Sequence, residues 1–272
     1  MTVQRTNWFD AANYAILSLI GLMTLLPFVH VLAKSVSSTA AVTAGKVGFW
    51  PQGFQLANYA FLFSQQQFLN SVKVTLIVAT VGTVLCVLIT VMGAYPLSKP
   101  EFRGRKLILI LYVFSMLFYG GIVPSYMLMK YLNLIDTIWA MIIPYLVVQF
   151  NLLVVKTFFE ELPESVEESA KIDGASHFTI LFRIVVPMST PVIATVSLFS
   201  LVIYWNNFFH PLLFINTPSL KPLALYLYEM ITSANDVLSR LSLSDQMSLA
   251  AEGVVSTTIM VTSLPIFALY PF

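Results

Sequence analysis

One cysteine, Cys86, stands in 272 residues. A single thiol inside an apolar run excludes a disulfide framework and a cysteine-based metal site. Charge is as scarce. Asp, Glu, Lys and Arg together make up 10% of the chain, where soluble domains carry about 25%. The formal net charge of +1 says nothing about nucleic acid, which is not expected as a partner. Three histidines, His30, His177 and His210, fall on separate segments with no His-Glu-x-x-His spacing for a metal. There is no Gly-x-Ser-x-Gly elbow and no Gly-x-x-x-x-Gly-Lys-[Ser/Thr] phosphate loop. No catalytic residue, metal or cofactor is therefore expected in this chain.

Apolar residues are what the chain has, at 58%. About 20 of them in a row cross a hydrocarbon core. Candidate spans run over 11–33, 68–97, 107–129, 137–159, 192–215 and 247–272. The first is too long for a signal peptide's apolar region of about 7–15 residues and reads as a retained anchor. Gly120-Gly121 and Pro124 interrupt the third. The compact basic turn Arg103-Gly104-Arg105-Lys106, with Lys99 before it, fixes orientation by the Lys/Arg bias of cytoplasmic loops. That places the N-terminus and segment 160–191 in the cytoplasm, and 34–68 and 216–246 outside. The expectation is an all-α polytopic membrane protein, one domain over 1–272 with six transmembrane helices.

Those spans hold little charge. Lys73 and Lys156 sit near span ends, where lysine snorkels. Glu252, in the outer part of the sixth span, is the one deep candidate, open between an interface residue and a coupling role. A carrier driven by an ion gradient normally needs more intramembrane charge than this.

Segment 160–191 is the polar exception: Glu160, Glu161, Glu164, Glu167, Glu168 and Asp173 face only Lys171 and Arg183. Pro163 suits a helix start, with Glu164, Glu167 and Glu168 in the first turns complementing the dipole. Glu167 and Lys171 make an i, i+4 pair. Gly174 ends that helix, and Ser176 can cap a second whose apolar stripe is Phe178, Leu181, Phe182 and Val185. Pro187 and Pro191 close the segment.

The run Glu168-Ser169-Ala170, Asp173-Gly174-Ala175, Phe182, Ile184 and Pro187 resembles the "EAA" loop of ATP-binding-cassette (ABC) importer permeases, with Ser169 and Val186 as departures. The resemblance implies a type I importer permease fold and a cytoplasmic coupling helix docked in a cleft of an ATPase subunit. Carried over by position, Glu164, Glu167, Glu168, Ala170, Asp173, Gly174 and Ala175 would form the docking face. Glu168 would pair there with a basic group. Tyr119-Gly120-Gly121-Ile122-Val123-Pro124, Tyr204-Trp205-Asn206-Asn207-Phe208 and Ala250-Ala251 ahead of Pro265 extend the resemblance to carbohydrate importers, to the permease similar to the maltose system's smaller one. A branch taking up larger oligosaccharides, including uronic-acid-containing ones, looks most similar. Implied partners are a second permease, two ATPase subunits that bind ATP and Mg, an extracytoplasmic solute-binding protein, the oligosaccharide and membrane lipid.

Uncharged polar residues give the pathway candidates. Ser200, Tyr204 and Asn207 recur on one face of the fifth span with Thr190 and Ser197, His210 widens its polar end, and Gln149 stands i, i+4 from Tyr145 on the fourth. Amides, hydroxyls and aromatic faces suit a hydroxyl-rich solute. The same residues also suit helix–helix hydrogen bonding. Three readings stay open here: half of the pore of an ABC importer working by alternating access, an ion-gradient carrier, or a membrane scaffold recruiting a cytosolic partner.

Overall fold

The computed structural model describes residues 8–232 and 251–269, without the side chains of the last two. Among the described residues every regular element is helical. In order they are α1 (Trp8–Ser35), α2 (Thr39–Thr43), α3 (Ala57–Ser64), α4 (Gln66–Ser98), α5 (Arg105–Leu117), α6 (Ile122–Tyr131) and α7 (Trp139–Ile142), the last running into a 3-10 turn, Ile143–Tyr145. Then follow α8 (Gln149–Glu160), α9 (Glu164–Ile172), α10 (His177–Ile180), a π turn (Leu181–Val185), α11 (Val186–Met188), α12 (Thr190–Asn206), α13 (Phe209–Phe214), α14 (Leu223–Thr232) and α15 (Ala251–Leu269). The expected positions of Arg5, Arg240, Ala250 and residues 270–272 lie outside the described residues.

Helices α1 and α4 are each long and apolar enough to cross a membrane. Three further pairs of helices are together long and apolar enough, but each pair is bent at a short break. Helices α5 and α6 meet at 115°, the α7 and α8 segments at 48°, and α10–α11 meets α12 at 85°. Gly121 sits at the first break with φ +96°, a backbone region costly for any residue with a Cβ. Pro144 lies in the 3-10 turn at the second, and Pro187 and Pro191 flank the third. Helix α15, 19 residues, covers most of the expected sixth span. Two expectations shift. The fourth span is not continuous, so Tyr145 and Gln149 stand on either side of a bend rather than one turn apart. The fifth ends its regular helix at Asn206, and α13 is a separate piece.

Contacts divide the chain into two compact units, one made of residues up to 68 with 227 onward, the other of 69–226. In the first, α15 packs along α1 and against α2 and α3. The close approach is at Gly253, where a Cβ would lie 2.8 Å from Nδ2 of buried Asn58. Asn58 Nδ2 donates to the carbonyl of Ser35 (3.3 Å), and Thr257 Oγ1 reaches the same carbonyl from α15. Glu252 is a paired rim residue, 2.8 Å from Lys34 Nζ with its side chain 68% exposed.

The second unit is wrapped around α4. Val91, Ala94, Tyr95 and Leu97 pack against Leu152, Val155 and Phe159 of α8, Ala170 of α9, Ile180, Leu181 and Val185, and Val192 and Val196 of α12. Its outward faces are apolar as well: Val84, Leu107 and Leu117 are each more than half exposed, as is Leu22 in the first unit, which suits a lipid-facing surface.

Gly253→Ala should destabilise the first unit by about 1–3 kcal/mol through overpacking against Asn58. Gly21→Ala, whose Cβ meets nothing within 4 Å, should be nearly neutral. Thermal unfolding of the detergent-solubilised protein reads both, and equal behaviour of the two variants would contradict the packing.

Candidate functional site

The polar loop between α8 and α12 folds as its local chemistry dictates. Pro163 caps α9. Gly174 follows its last turn at φ +78°, and the Ala175 N–H returns to the carbonyl of Ala170 (3.0 Å), a closure that needs a left-handed residue. Ser176 Oγ accepts from the Thr179 N–H (3.3 Å) to start α10. Beyond Ile180 the chain widens into the π turn, which shifts the phase of the buried stripe. Ile180, Leu181 and Val185 are buried, whereas Phe178 is 64% exposed and Phe182 also lies out. The stripe expected to include both phenylalanines is thereby corrected.

The acidic residues split into two sets. Glu161, Glu164, Glu168 and Asp173 are exposed, while Glu160, at the surface, and Glu167, buried, are tied to basic side chains of the chain. Glu160 pairs with Lys156 (2.7 Å) and with Arg105, whose Nε also donates to the carbonyl of Leu97. Glu167 makes no pair with Lys171. Its carboxylate faces inward, 2.5 Å from Lys99 Nζ and 3.2 Å from Tyr95 Oη, with its side chain 8% exposed. Ala170 is buried beside it. Glu167 and Ala170 therefore face the rest of the chain and hold α9 from behind. The outward face carries Glu164, Glu168, Asp173 and Gly174, with Ala175 half-buried at its edge. Between the acids, Ile172 is 86% exposed. Sequence reasoning passed over Ile172, yet an apolar residue between Lys171 and Asp173 at a helix end, off the buried stripe, was a visible signal.

Inside the second unit the polar residues converge. Ser200 is fully buried, donates to the carbonyl of Val196, accepts from Asn151 Nδ2 (3.2 Å) and touches Cys86 Sγ (3.4 Å), so α4, α8 and α12 meet there. Tyr204 is buried and donates to the carbonyl of Ile142 (3.0 Å), a group freed where α7 turns 3-10. Its ring lies against Gly82, where a Cβ would sit 2.6 Å from the ring. Both residues are committed to helix packing. Asn207 Oδ1 accepts from the His210 N–H (3.3 Å) at the break before α13. Asn207 Nδ2 and His210 Nδ1 are buried without partners. Tyr145 stands edge-on to both His210 (4.8 Å) and Tyr204 (6.0 Å). Gln149 is half-buried and lies 3.5 Å from Ser115 Oγ.

Asp136, at φ +60°, clasps the loop before α7 to the end of α13. Its N–H donates to the carbonyl of Phe214, and its carboxylate accepts from the Asn216 and Thr217 N–H groups (2.9 and 2.8 Å) and from Thr217 Oγ1 (2.5 Å). The Thr217 hydroxyl and amide bonds favour the anion and hold this carboxyl below the ordinary aspartate value.

A broken-helix core with a braced polar loop is the architecture of an importer's membrane subunit, and sequence comparison agrees. Residues 90–271 match the family described as the binding-protein-dependent transport system inner membrane component. The chain belongs to that family, the membrane permeases of ABC importers. It is a multi-pass, non-catalytic subunit of the inner membrane. Among its relatives, protein LplC of Bacillus subtilis is 41% identical over 97% of this chain and 90% of its own length. The polygalacturonan/rhamnogalacturonan transport system permease YtcP of Bacillus subtilis is 36% identical over 98% and 94%. In the crystal structure of a bacterial ABC transporter involved in the import of the acidic polysaccharide alginate, one chain superposes with a TM-score of 0.90 at 29% identity, covering 97% of this chain and 94% of that one.

Tyr204→Phe should cost about 0.6 kcal/mol, a typical intramembrane hydrogen bond, and no more than about 1.7. Gly82→Ala should cost more, because the whole ring must leave its seat. Thermal unfolding that ranks them the other way would contradict the seat. A depressed folded-state pKa means that the Asp136 clasp is fully formed above the unfolded value, about 3.9, and is lost as pH falls through the lower folded value. Amide exchange at Asn216 and Thr217 should therefore be slowed at neutral pH and lose that protection in acid. Asp136→Asn, which tolerates the same backbone, should flatten the dependence; an unchanged profile would count against the clasp.

Proposed function

We propose that this chain is one of two permease subunits forming the translocation pathway of an importer for an oligosaccharide, larger or uronic-acid-containing. Its partners are a second permease, two ATPase subunits and an extracytoplasmic solute-binding protein. The substrate class is supported by the relatives, since YtcP is named for polygalacturonan and rhamnogalacturonan and the superposing complex takes up alginate. Binding protein supply is supported by the family's own description. The N-terminus lies in the cytoplasm, which the basic turn around Arg103 and Arg105 supports.

The observation that carries the reading is the outward face of α9. A loop of this size normally hides its apolar residues, yet Ile172 and Phe178 stand out beside Glu168 and Asp173. Two exposed apolar knobs in an acidic surround fit a pocket rimmed by basic residues on an ATPase subunit. ATP and Mg are bound there, and the ATP is hydrolysed there. Closure of the ATPase dimer displaces α9, and the permease alternates between inward and outward access. Solute would pass Gln149, Asn207 and His210, the last two carrying unpartnered buried polar atoms beside the Tyr145 ring. Ser200 and Tyr204 support that wall by fixing α12 against α4 and α8.

Glu168→Lys should leave the membrane domain folded, because an exposed charge contributes little to stability, and should uncouple ATP hydrolysis from uptake. Gly174→Val should do the same by forbidding the left-handed turn. Uptake assays in reconstituted complexes check both, and normal coupled uptake in either variant would refute the docking face.

A further inference from the structure

Of the acidic residues on α9, Glu167 alone turns away from water. A carboxylate so placed must be paired and hydrogen-bonded to stay charged, and both partners come from one place, the end of α4. Lys99 Nζ lies at 2.5 Å and Tyr95 Oη at 3.2 Å, while the same ammonium sits 5.1 Å from the Tyr95 ring centroid. The Glu167 side chain is 8% exposed and that of Lys99 27%, so water screens the pair less than it would a surface pair. Among the described residues this is the ion pair that α9 makes with the rest of the chain. Both ends of α9 are turns, Glu161-Leu162-Pro163 before it and Gly174 after it. Chain connectivity alone would let the helix pivot.

We propose that Glu167, Lys99 and Tyr95 form a latch that makes α9 and the end of α4 a single rigid lever, delivering displacement of the loop to the α4 span. Any sliding of α9 past α4 would separate a buried carboxylate from its ammonium, which costs far more than moving the two together. Glu167 is thus a positioning residue, acting through α4 and touching neither solute nor motor. The inference rests on the reading of α9 as the docking helix.

The test uses the complete complex in nanodiscs, with spin labels on cysteines replacing exposed Ser169 of α9 and exposed Glu101 beyond α4. Distances are read without nucleotide and after trapping with ATP and vanadate. With the latch native, one narrow population should appear and keep its position in both states. Glu167→Gln and Lys99→Met should lose that single population, the distance moving between states. The exchanged pair Lys99→Glu with Glu167→Lys should restore it, a rescue that also stands if a single variant fails to assemble. A distance that stays single and fixed in Glu167→Gln, or a swap that assembles without restoring it, would overturn the latch. Cross-linking of the Ser169→Cys chain to the ATPase subunit reports docking separately, so its absence would strike the functional reading and leave the latch result intact.

Discussion

A negative charge removed from water governs the polar end of this permease. Glu167 is buried and held by the Lys99 ammonium and the Tyr95 phenol at the end of α4. Replacing such a pair by hydrocarbon often costs nothing, whereas removing one partner is expensive. Its contribution is then geometric. It dictates that α9 presents Glu164, Glu168 and Ile172 outward while Ala170 faces the core. A second cluster, Arg105–Glu160–Lys156, lies at the surface and ties the end of α8 to the start of α5 and, through the Leu97 carbonyl, to the end of α4.

The membrane portion obeys a second constraint. Backbone polar groups in hydrocarbon need partners, so helices that break must be repaired by side chains. Tyr204 repairs the end of α7 through the Ile142 carbonyl, and Gly82 leaves room for its ring. Ser200 joins three helices through one hydroxyl. At Asn207 and His210, by contrast, buried polar atoms have no partner within the chain. Rigid packing and free valence thus sit side by side on α12 and α13.

What could be read in the sequence was local. The α9 start at Pro163, the Gly174 turn, the Ser176 cap and the break at Gly120-Gly121 each depend on residues within a few positions, and all are present. Glu167 was misassigned to Lys171 because that partner lies four residues away on the same helix, whereas Lys99 is 68 residues upstream. Periodicity of 3.6 misplaced Phe178 and Phe182 because a π turn changes the period. For Tyr204 the sequence left pathway and helix packing open, because a hydroxyl in a span looks the same whether it meets a solute or a stranded carbonyl; the structure shows it bonded to the Ile142 carbonyl. The family motif singles out the loop but does not separate its inward from its outward residues.

The central claim is that the loop is gripped from outside by Ile172, Phe178 and Glu168 while rooted inside through Glu167. A structure of the intact complex trapped with ATP and vanadate measures this most directly. The account predicts that Ile172 and Phe178 become buried against an ATPase subunit with the Lys99–Glu167 pair still closed. A complex in which those two side chains remain exposed, or in which the loop faces the solute-binding protein, would contradict it.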